Sequence, residues 1–247
     1  MGLLAHLGAV ANATGVLEIN VIFPHVNETY APTENFPVIY ALQNAKLAEH
    51  LTLGFFLSIH SRSSPVKAGG STLYRDTDFS SEPYFVYYYK NLSTGRGYHQ
   101  LFSHITWDSC DESSDEVFFQ KNGVEFTFPF NIEQGGQEVD LIAATEKCTD
   151  QPGVTILVTD QKRKYFNSDF VTCSVLDSSS PTPTRNHCQV KIDAAAVASM
   201  SAGWHARSCR SWSPPDDCPK ENAVQHLFVA GVASFAVAFG AIGFLLA

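Results

Sequence analysis

Leu17-Glu18-Ile19-Asn20-Val21-Ile22-Phe23 sets the reading of the fold. Leu17, Ile19, Val21 and Phe23 alternate with polar Glu18 and Asn20, the period-two pattern of a half-buried strand. Outward from it, 36–42 (FPVIYAL) and 51–60 (LTLGFFLSIH) are the next apolar runs, with breaks at Tyr30-Ala31-Pro32-Thr33 and Asn44-Ala45-Lys46. Residues 61–80 read as a polar loop around Gly69-Gly70. Tyr84-Phe85-Val86-Tyr87-Tyr88-Tyr89 reads as a further strand, with 98–107 as its neighbour. Asn122-Gly123 stands between VFFQK and VEFTF and predicts a tight hairpin, because both residues tolerate positive φ. Runs at 139–144, 153–159, 169–176 and 187–192 bring the count to about ten or eleven short strands.

No long amphipathic pattern separates these strands, and no repeat of fixed period is visible. The spacing therefore predicts an all-β protein, an antiparallel β-sandwich of immunoglobulin-like or jelly-roll-like type. One short helix is expected over 193–200, with Asp193 as N-cap, an Ala-rich body and Gly203 as its stop. The domain spans 15–206, and 207–226 reads as a Pro/Asp/Ser-rich, cysteine-containing stalk.

The ends suggest an address. Residues 227–247 carry no charge, and at about 1.5 Å per residue a helix of that length reaches across a bilayer. No Lys or Arg follows this hydrophobic C-terminal helix, which favours a glycosylphosphatidylinositol signal over a spanning anchor. A polar spacer places the attachment point near Asp216-Asp217, and Asn222-Ala223 offers better side chains with too short a spacer. Residues 1–14 hold a short apolar run and two Ala-x-Ala patterns, read as the remnant of a signal peptide.

Cys110, Cys148, Cys173, Cys188, Cys209 and Cys218 form an even set with no C-x-x-C spacing, which points to three disulfides rather than zinc. Neighbour pairing, 110–148, 173–188 and 209–218, is the simplest of the pairings the count allows. Sequons at Asn12, Asn27 and Asn91 fit the same compartment. A net charge of −9 argues against nucleic acid.

Catalytic signatures are lacking: no G-x-S-x-G, S-x-x-K or phosphate loop occurs. Asp108, Asp111, Glu112, Asp115 and Glu116 crowd around Cys110 without a calcium-loop spacing, and read as a solvated acidic loop. His99 and His104 fall on opposite faces of one strand, which favours structural roles over shared ligation. Neither a metal nor a cofactor is expected. Tyr84, Tyr87, Tyr88 and Tyr89 are the candidate ligand-contact aromatics, since a strand with one face in the core presents the other outward. The same strip also fits a strand buried on both faces. Carboxylates paired only in space would leave no local spacing, so a carbohydrate-active hydrolase stays as the alternative.

Several segments together resemble a known family: Tyr30-Ala31-Pro32-Thr33, 36–44 (FPVIYALQN), 105–110 (ITWDSC) and Cys218-Pro219 ahead of the apolar tail. They are similar to filamentous-fungal secreted proteins of domain-of-unknown-function family 7136, over nearly the whole chain. The resemblance implies a secreted, surface-anchored glycoprotein with no established activity, and it carries over no catalytic residues. The expected role is structural, adhesive or binding at the cell wall. Its expected partners are the membrane, through 227–247, and wall polysaccharide or a protein.

Overall fold

The computed structural model describes residues 13–61, 66–110, 119–147, 149–164, 172–177, 184–211 and 214–219. The chain forms two compact units, Met1–His205 and Ala206–Ala247. In the first lie strands β1 (Ala13–Phe23), β2 (Thr29–Tyr30), β3 (Phe36–Gln43), β4 (Leu53–Ser61), β5 (Lys67–Leu73), β6 (Tyr84–Lys90), β7 (Gly97–Cys110), β8 (Phe119–Ile132), β9 (Gly153–Lys164) and β10 (Thr172–Leu176). Helix α1 is Leu141–Glu146, α2 is Ala194–Ser208, and 3₁₀ turns cover Ala45–His50 and His187–Gln189.

The strands form one ten-stranded sheet that does not close, in the order β2-β8-β7-β10-β9-β1-β3-β6, with β4 and then β5 branching from β7. Most pairs are antiparallel, but β2 runs parallel to β8 and β10 parallel to β7, so the sheet is mixed where pure antiparallel pairing was expected. Two halves result. One is β6-β3-β1-β9-β10, the other β5-β4-β7-β8-β2, and a single parallel pair, Val175↔Cys110, connects them.

Side chains from the two halves meet in one core. The Tyr40 hydroxyl on β3 hydrogen-bonds Ser103 Oγ on β7 at 2.8 Å, and the Tyr40 ring lies 5.3 Å from Phe55 on β4. Phe36 stacks on Phe130 at 5.1 Å, and Phe130 also carries the fully buried His99 at 5.4 Å. Burial of such large apolar side chains, each worth about 1.5–3 kcal/mol, holds the halves together.

β1 is not half-buried as its alternation predicts. Glu18 and Asn20 are buried as well, because 184–192 covers their face. The Glu18 carboxylate accepts the Asn186 N–H at 2.7 and 2.8 Å and the Asn20 amide at 2.7 Å, while Arg185 donates to Asn20 Oδ1. A buried carboxylate persists only when hydrogen-bonded in this way.

Several other expectations are corrected. Asn122-Gly123 lies inside β8, opposite Trp107 and Thr106, and is no turn. Asn122 Nδ2 donates to Ser109 Oγ at 2.9 Å, and a Cβ on Gly123 would press on His104 and Ile105, so the pair is selected for close strand approach rather than for positive φ. The loop assigned to 61–80 contains β5; Gly69 and Gly70 lie against Lys90 and the Phe55 carbonyl, where side chains would collide. β6 pairs with β3, not with β7. Residues 139–144 give α1 instead of a strand, because the Asp140 side chain accepts the Ile142 and Ala143 N–H groups, both at 3.0 Å. The 187–192 strand is replaced by a 3₁₀ turn.

Helix α2 starts at the expected Asp193, whose carboxylate accepts the Ala196 N–H at 2.8 Å, but it runs through Gly203 to Ser208. Gly203 is a contact residue rather than a stop: a Cβ there would strike the Tyr87 hydroxyl.

The disulfides also differ from neighbour pairing. Cys110 bonds Cys173, a loop of 63 residues, beside the single pair that links the halves. This overturns both 110–148 and 173–188, since the parallel approach of β10 to β7 brings distant cysteines together. Cys188 is disulfide-bonded as well. The 209–218 bond is present and lies in the second unit. The apolar 227–247 segment and residues 1–12 of the signal-like 1–14 lie outside the described residues, while Ala13 and Thr14 open β1; among those described, no helix is long and apolar enough to cross a membrane.

Candidate functional site

The two halves of the sheet differ on their outer faces. On β6, Val86 and Tyr88 turn into the core, with Tyr88 hydrogen-bonded to Ser71 Oγ. Tyr87 and Tyr89 turn outward and meet α2, Tyr89 packing 5.5 Å from Trp204 and Tyr87 lying over Gly203. Tyr84 is half-buried against Phe79 at 5.3 Å. The aromatic strip is therefore held between core and helix, and burial raises the Tyr89 pKa.

The outer face of β5-β4-β7-β8 is bare among the described residues. Strand registers lay it out as rows. Gly70, Phe56, His104 and Glu125 form one; Ala68, Ser58, Phe102 and Thr127 the next; then come His60, Gln100 and Pro129. Thr72, Gly54, Thr106 and Gly123 lie above, Tyr98 and Asn131 below. Phe56 and Tyr98 are 47% and 54% exposed, high values for aromatics on a strand. Phe56 meets Phe102 edge-on at 6.5 Å. His60 Nε2 and Ser58 Oγ share a hydrogen bond at 2.8 Å, and His104 lies 4.0 Å from Glu125.

Small residues shape this face. Gly54, Gly70 and Gly123 leave Phe56 and His104 standing above their neighbours, and a Cβ on Gly54 would meet Thr106 Oγ1. Open hollows of about 400 and 650 Å³ flank the rings, one over Gly54, Gly70 and Thr106, the other between His60, Tyr98 and Gln100. Apart from histidine, Glu125 is the sole ionisable side chain with a formal charge in these rows. Chemically, the face offers ring surfaces for stacking, with hydroxyl, amide and imidazole groups beside them.

Sequence reasoning placed Phe56, Tyr98 and Phe102 in strand-like runs but singled out none of them as a contact residue. The signal was present in LTLGFFLSIH: Phe55, Leu57 and Ile59 share the inward face, leaving Phe56 as an apolar residue among outward Ser58 and His60.

The other candidates scatter. His99 is buried and its Nδ1 bonds the Gly97 carbonyl at 2.9 Å, while His104 faces outward, on opposite sides of β7 as expected. Asp108 lies across from Lys121, and burial raises its pKa against that cation. Asp111, Glu112, Asp115, Glu116, Cys148 and Asn12 lie outside the described residues. Asn27 and Asn91 are exposed.

Beside α1, cavities of about 60 and 20 Å³ share His25 and Lys147. Burial lowers the His25 pKa, with Glu28 acting in the opposite sense. Glu28, Glu138 and Asp140 rim the larger cavity, but Asp140 caps α1 and Glu28 accepts the Gln137 amide at 3.2 Å. The space is far below the roughly 300 Å³ of small-molecule pockets.

Strand content, a shared aromatic core and buried disulfide bonding define a disulfide-braced, strand-rich protein module. Residues 12–218 match the family model described as Domain of unknown function (DUF7136), and the chain belongs to that family. No curated protein and no solved structure matches the chain.

Proposed function

We propose that this protein is a secreted, membrane-attached glycoprotein of the fungal cell surface, and that it holds neutral wall polysaccharide on the bare outer face of β5-β4-β7-β8. On this reading the two halves of the sheet make a β-sandwich, and 227–247 attaches it to the membrane. Disulfides support an oxidising compartment, because cytosolic thiols are kept reduced. The observation that carries the ligand class is the Phe56–Phe102 pair, Phe56 exposed and Phe102 half-buried, set among hydroxyl, amide and imidazole groups with one formal charge. Pyranose rings stack on aromatic faces and hydrogen-bond through their edges, and an uncharged polymer does not require a basic patch.

The test is retention of the full chain, in mild detergent, on insoluble chitin, β-glucan and cellulose. Phe56→Ala and Tyr98→Ala are each expected to lower retention roughly 2- to 10-fold, the equivalent of about 0.5–1.5 kcal/mol per aromatic contact. Equal retention of wild type and both variants removes this face as the site. Release of reducing ends from the same polymers replaces the binding role with a hydrolase.

A further inference from the structure

The outer face carries one more exposed aromatic, at the end of β5. Exposure alternates along that strand, with Ala68, Gly70 and Thr72 outward, and the alternation continues to Tyr74, which is 60% exposed. The inward set of β5 is fixed independently, because Ser71 Oγ meets the Tyr88 hydroxyl and Gly69 lies against Lys90, both on β6. By this parity Tyr74, the first residue past the strand, shares the outward side with Gly70. The Thr77 N–H bonds the Tyr74 carbonyl at 2.9 Å, so the turn that follows is anchored on this residue.

Strand register sets the exposed rings on one line. Gly70 pairs with Phe56, so Tyr74 stands one strand across and four residues up, about 14 Å from Phe56 at strand spacing and rise. Phe102 pairs with Ser58, one strand across on the other side and two residues down, with its ring 6.5 Å from Phe56. Tyr98 lies four residues further down β7, about 14 Å beyond Phe102. All these steps lead the same way, so Tyr74, Phe56, Phe102 and Tyr98 mark an oblique line of about 35 Å. The gaps in it are the two hollows. One, bordered by Thr72, His104 and Thr106, falls between Tyr74 and Phe56; the other, bordered by His60 and Gln100, falls between Phe102 and Tyr98. Among the described residues, no Asp, Glu, Lys or Arg faces outward between these rings on β5, β4 or β7; Glu125 stands aside on β8.

We infer that this line is the track for one straight, unbranched, uncharged β-1,4-linked glycan chain, stacked in turn on Tyr74, Phe56, Phe102 and Tyr98. The inference rests on the wall-polysaccharide reading above and names the shape of the chain. A β-1,4-linked pyranose chain runs straight and presents ring faces at regular intervals, so a single chain reaches all four aromatics. A β-1,3-linked chain winds into a helix and leaves the line beyond the central pair. Hydroxyl, imidazole and amide groups along the hollows meet sugar hydroxyls between the stacked rings. Gly54 and Gly70 raise no side chain into the first hollow, which lets the chain settle between Tyr74 and Phe56. A chain already held on one ring stands at high effective concentration over the next, so the contacts reinforce one another. Tyr and Phe supply them at low conformational-entropy cost.

The test titrates the full chain, in mild detergent, with soluble oligosaccharides from disaccharide to hexasaccharide. Three series are used: β-1,4-linked N-acetylglucosamine, β-1,4-linked glucose and β-1,3-linked glucose. In at least one β-1,4 series, affinity should rise roughly 10-fold or more with length, and the β-1,3 hexasaccharide should bind several-fold more weakly. Tyr74→Ala should lower affinity for the β-1,4 hexasaccharide roughly 2- to 10-fold and leave the disaccharide unchanged. Its urea midpoint should stay in place, since the side chain is exposed. A flat length dependence, a preference for the β-1,3 chain, or wild-type hexasaccharide affinity in Tyr74→Ala overturns the track and leaves a polysaccharide site at Phe56 and Phe102 standing. No binding in any series, together with no retention on the insoluble polymers, sinks the wall-polysaccharide reading and the track with it.

Discussion

β3 and β8 are both long strands of one sheet, yet they are built for opposite surroundings. Every residue of β3 from Phe36 to Leu42 is buried, whereas β8 alternates exposed and half-buried positions over most of its length. Around β3, the core takes one face, while α2 covers the outer side of the neighbouring β6 through Tyr87 and Tyr89. Over β8, β7 and β4, no described element covers the outer rows. The difference teaches which half is scaffold and which is surface: exposed aromatics stand where no described element covers them, and a small residue such as Gly203 is demanded where a helix does.

The sharpest way to break this comparison is to truncate the same side chain on both halves. Phe36→Ala empties a fully buried site that touches Phe23, Tyr30 and Phe130, and should cost about 3–5 kcal/mol in urea unfolding. Phe56→Ala on the open face should change stability by no more than about 0.5 kcal/mol. Similar losses at the two sites would mean that the open face is covered in solution.

Next in size is the joint between the halves. Replacing Cys110 and Cys173 together by Ala should cost about 2–5 kcal/mol. Hydrogen exchange should then rise first at β10, whose parallel contact with β7 is the one pair Val175↔Cys110. Exchange rising first in β8 would contradict the two-half description.

Gly203→Ala should cost about 1–3 kcal/mol, because the new methyl meets the Tyr87 hydroxyl. Tyr87→Phe removes that hydroxyl and should restore most of the loss in the double variant, as melting midpoints would reveal. Failure of this rescue would detach α2 from β6.

The smallest effect is a pH dependence at His25. Burial lowers its pKa in the folded protein from the ordinary 6.5, against the raising influence of Glu28, so the folded state binds its proton less tightly than the unfolded chain. The stability this supplies is present above about 6.5 and declines as pH falls from there toward the lower folded value. His25→Gln should flatten that part of the stability profile; an unchanged slope would assign it to other groups, His50 foremost, whose pKa burial also lowers.

Strand identity was largely legible because period-two burial is local. It located β1, β3, β4, β6, β7, β9 and β10 to within a few residues. What misled were residues whose reason lies across the sheet. Gly69, Gly70, Gly123 and Gly203 look like turn or stop signals in one dimension, but each answers a neighbour approaching from another strand or helix. Glu18 and Asn20 look solvent-facing until Arg185 and Asn186 arrive over them. The 110–173 disulfide was illegible for the same reason, since parallel strand contact leaves no trace in spacing. Of the candidate face, Tyr98 was visible as a strand residue, while Phe56 was hidden in an apolar run whose alternation only burial separates.

β1 carries a further consequence for how the protein is made. Its antiparallel partners are β3, synthesised soon after it, and β9, which leaves the ribosome much later, and Glu18 waits for Asn186 later still. With chains emerging at about 5–20 residues per second, one flank of β1 stays without its strand partner for many seconds, and Glu18 stays in water. The nascent chain therefore spends that interval with one edge of its central strand unpaired.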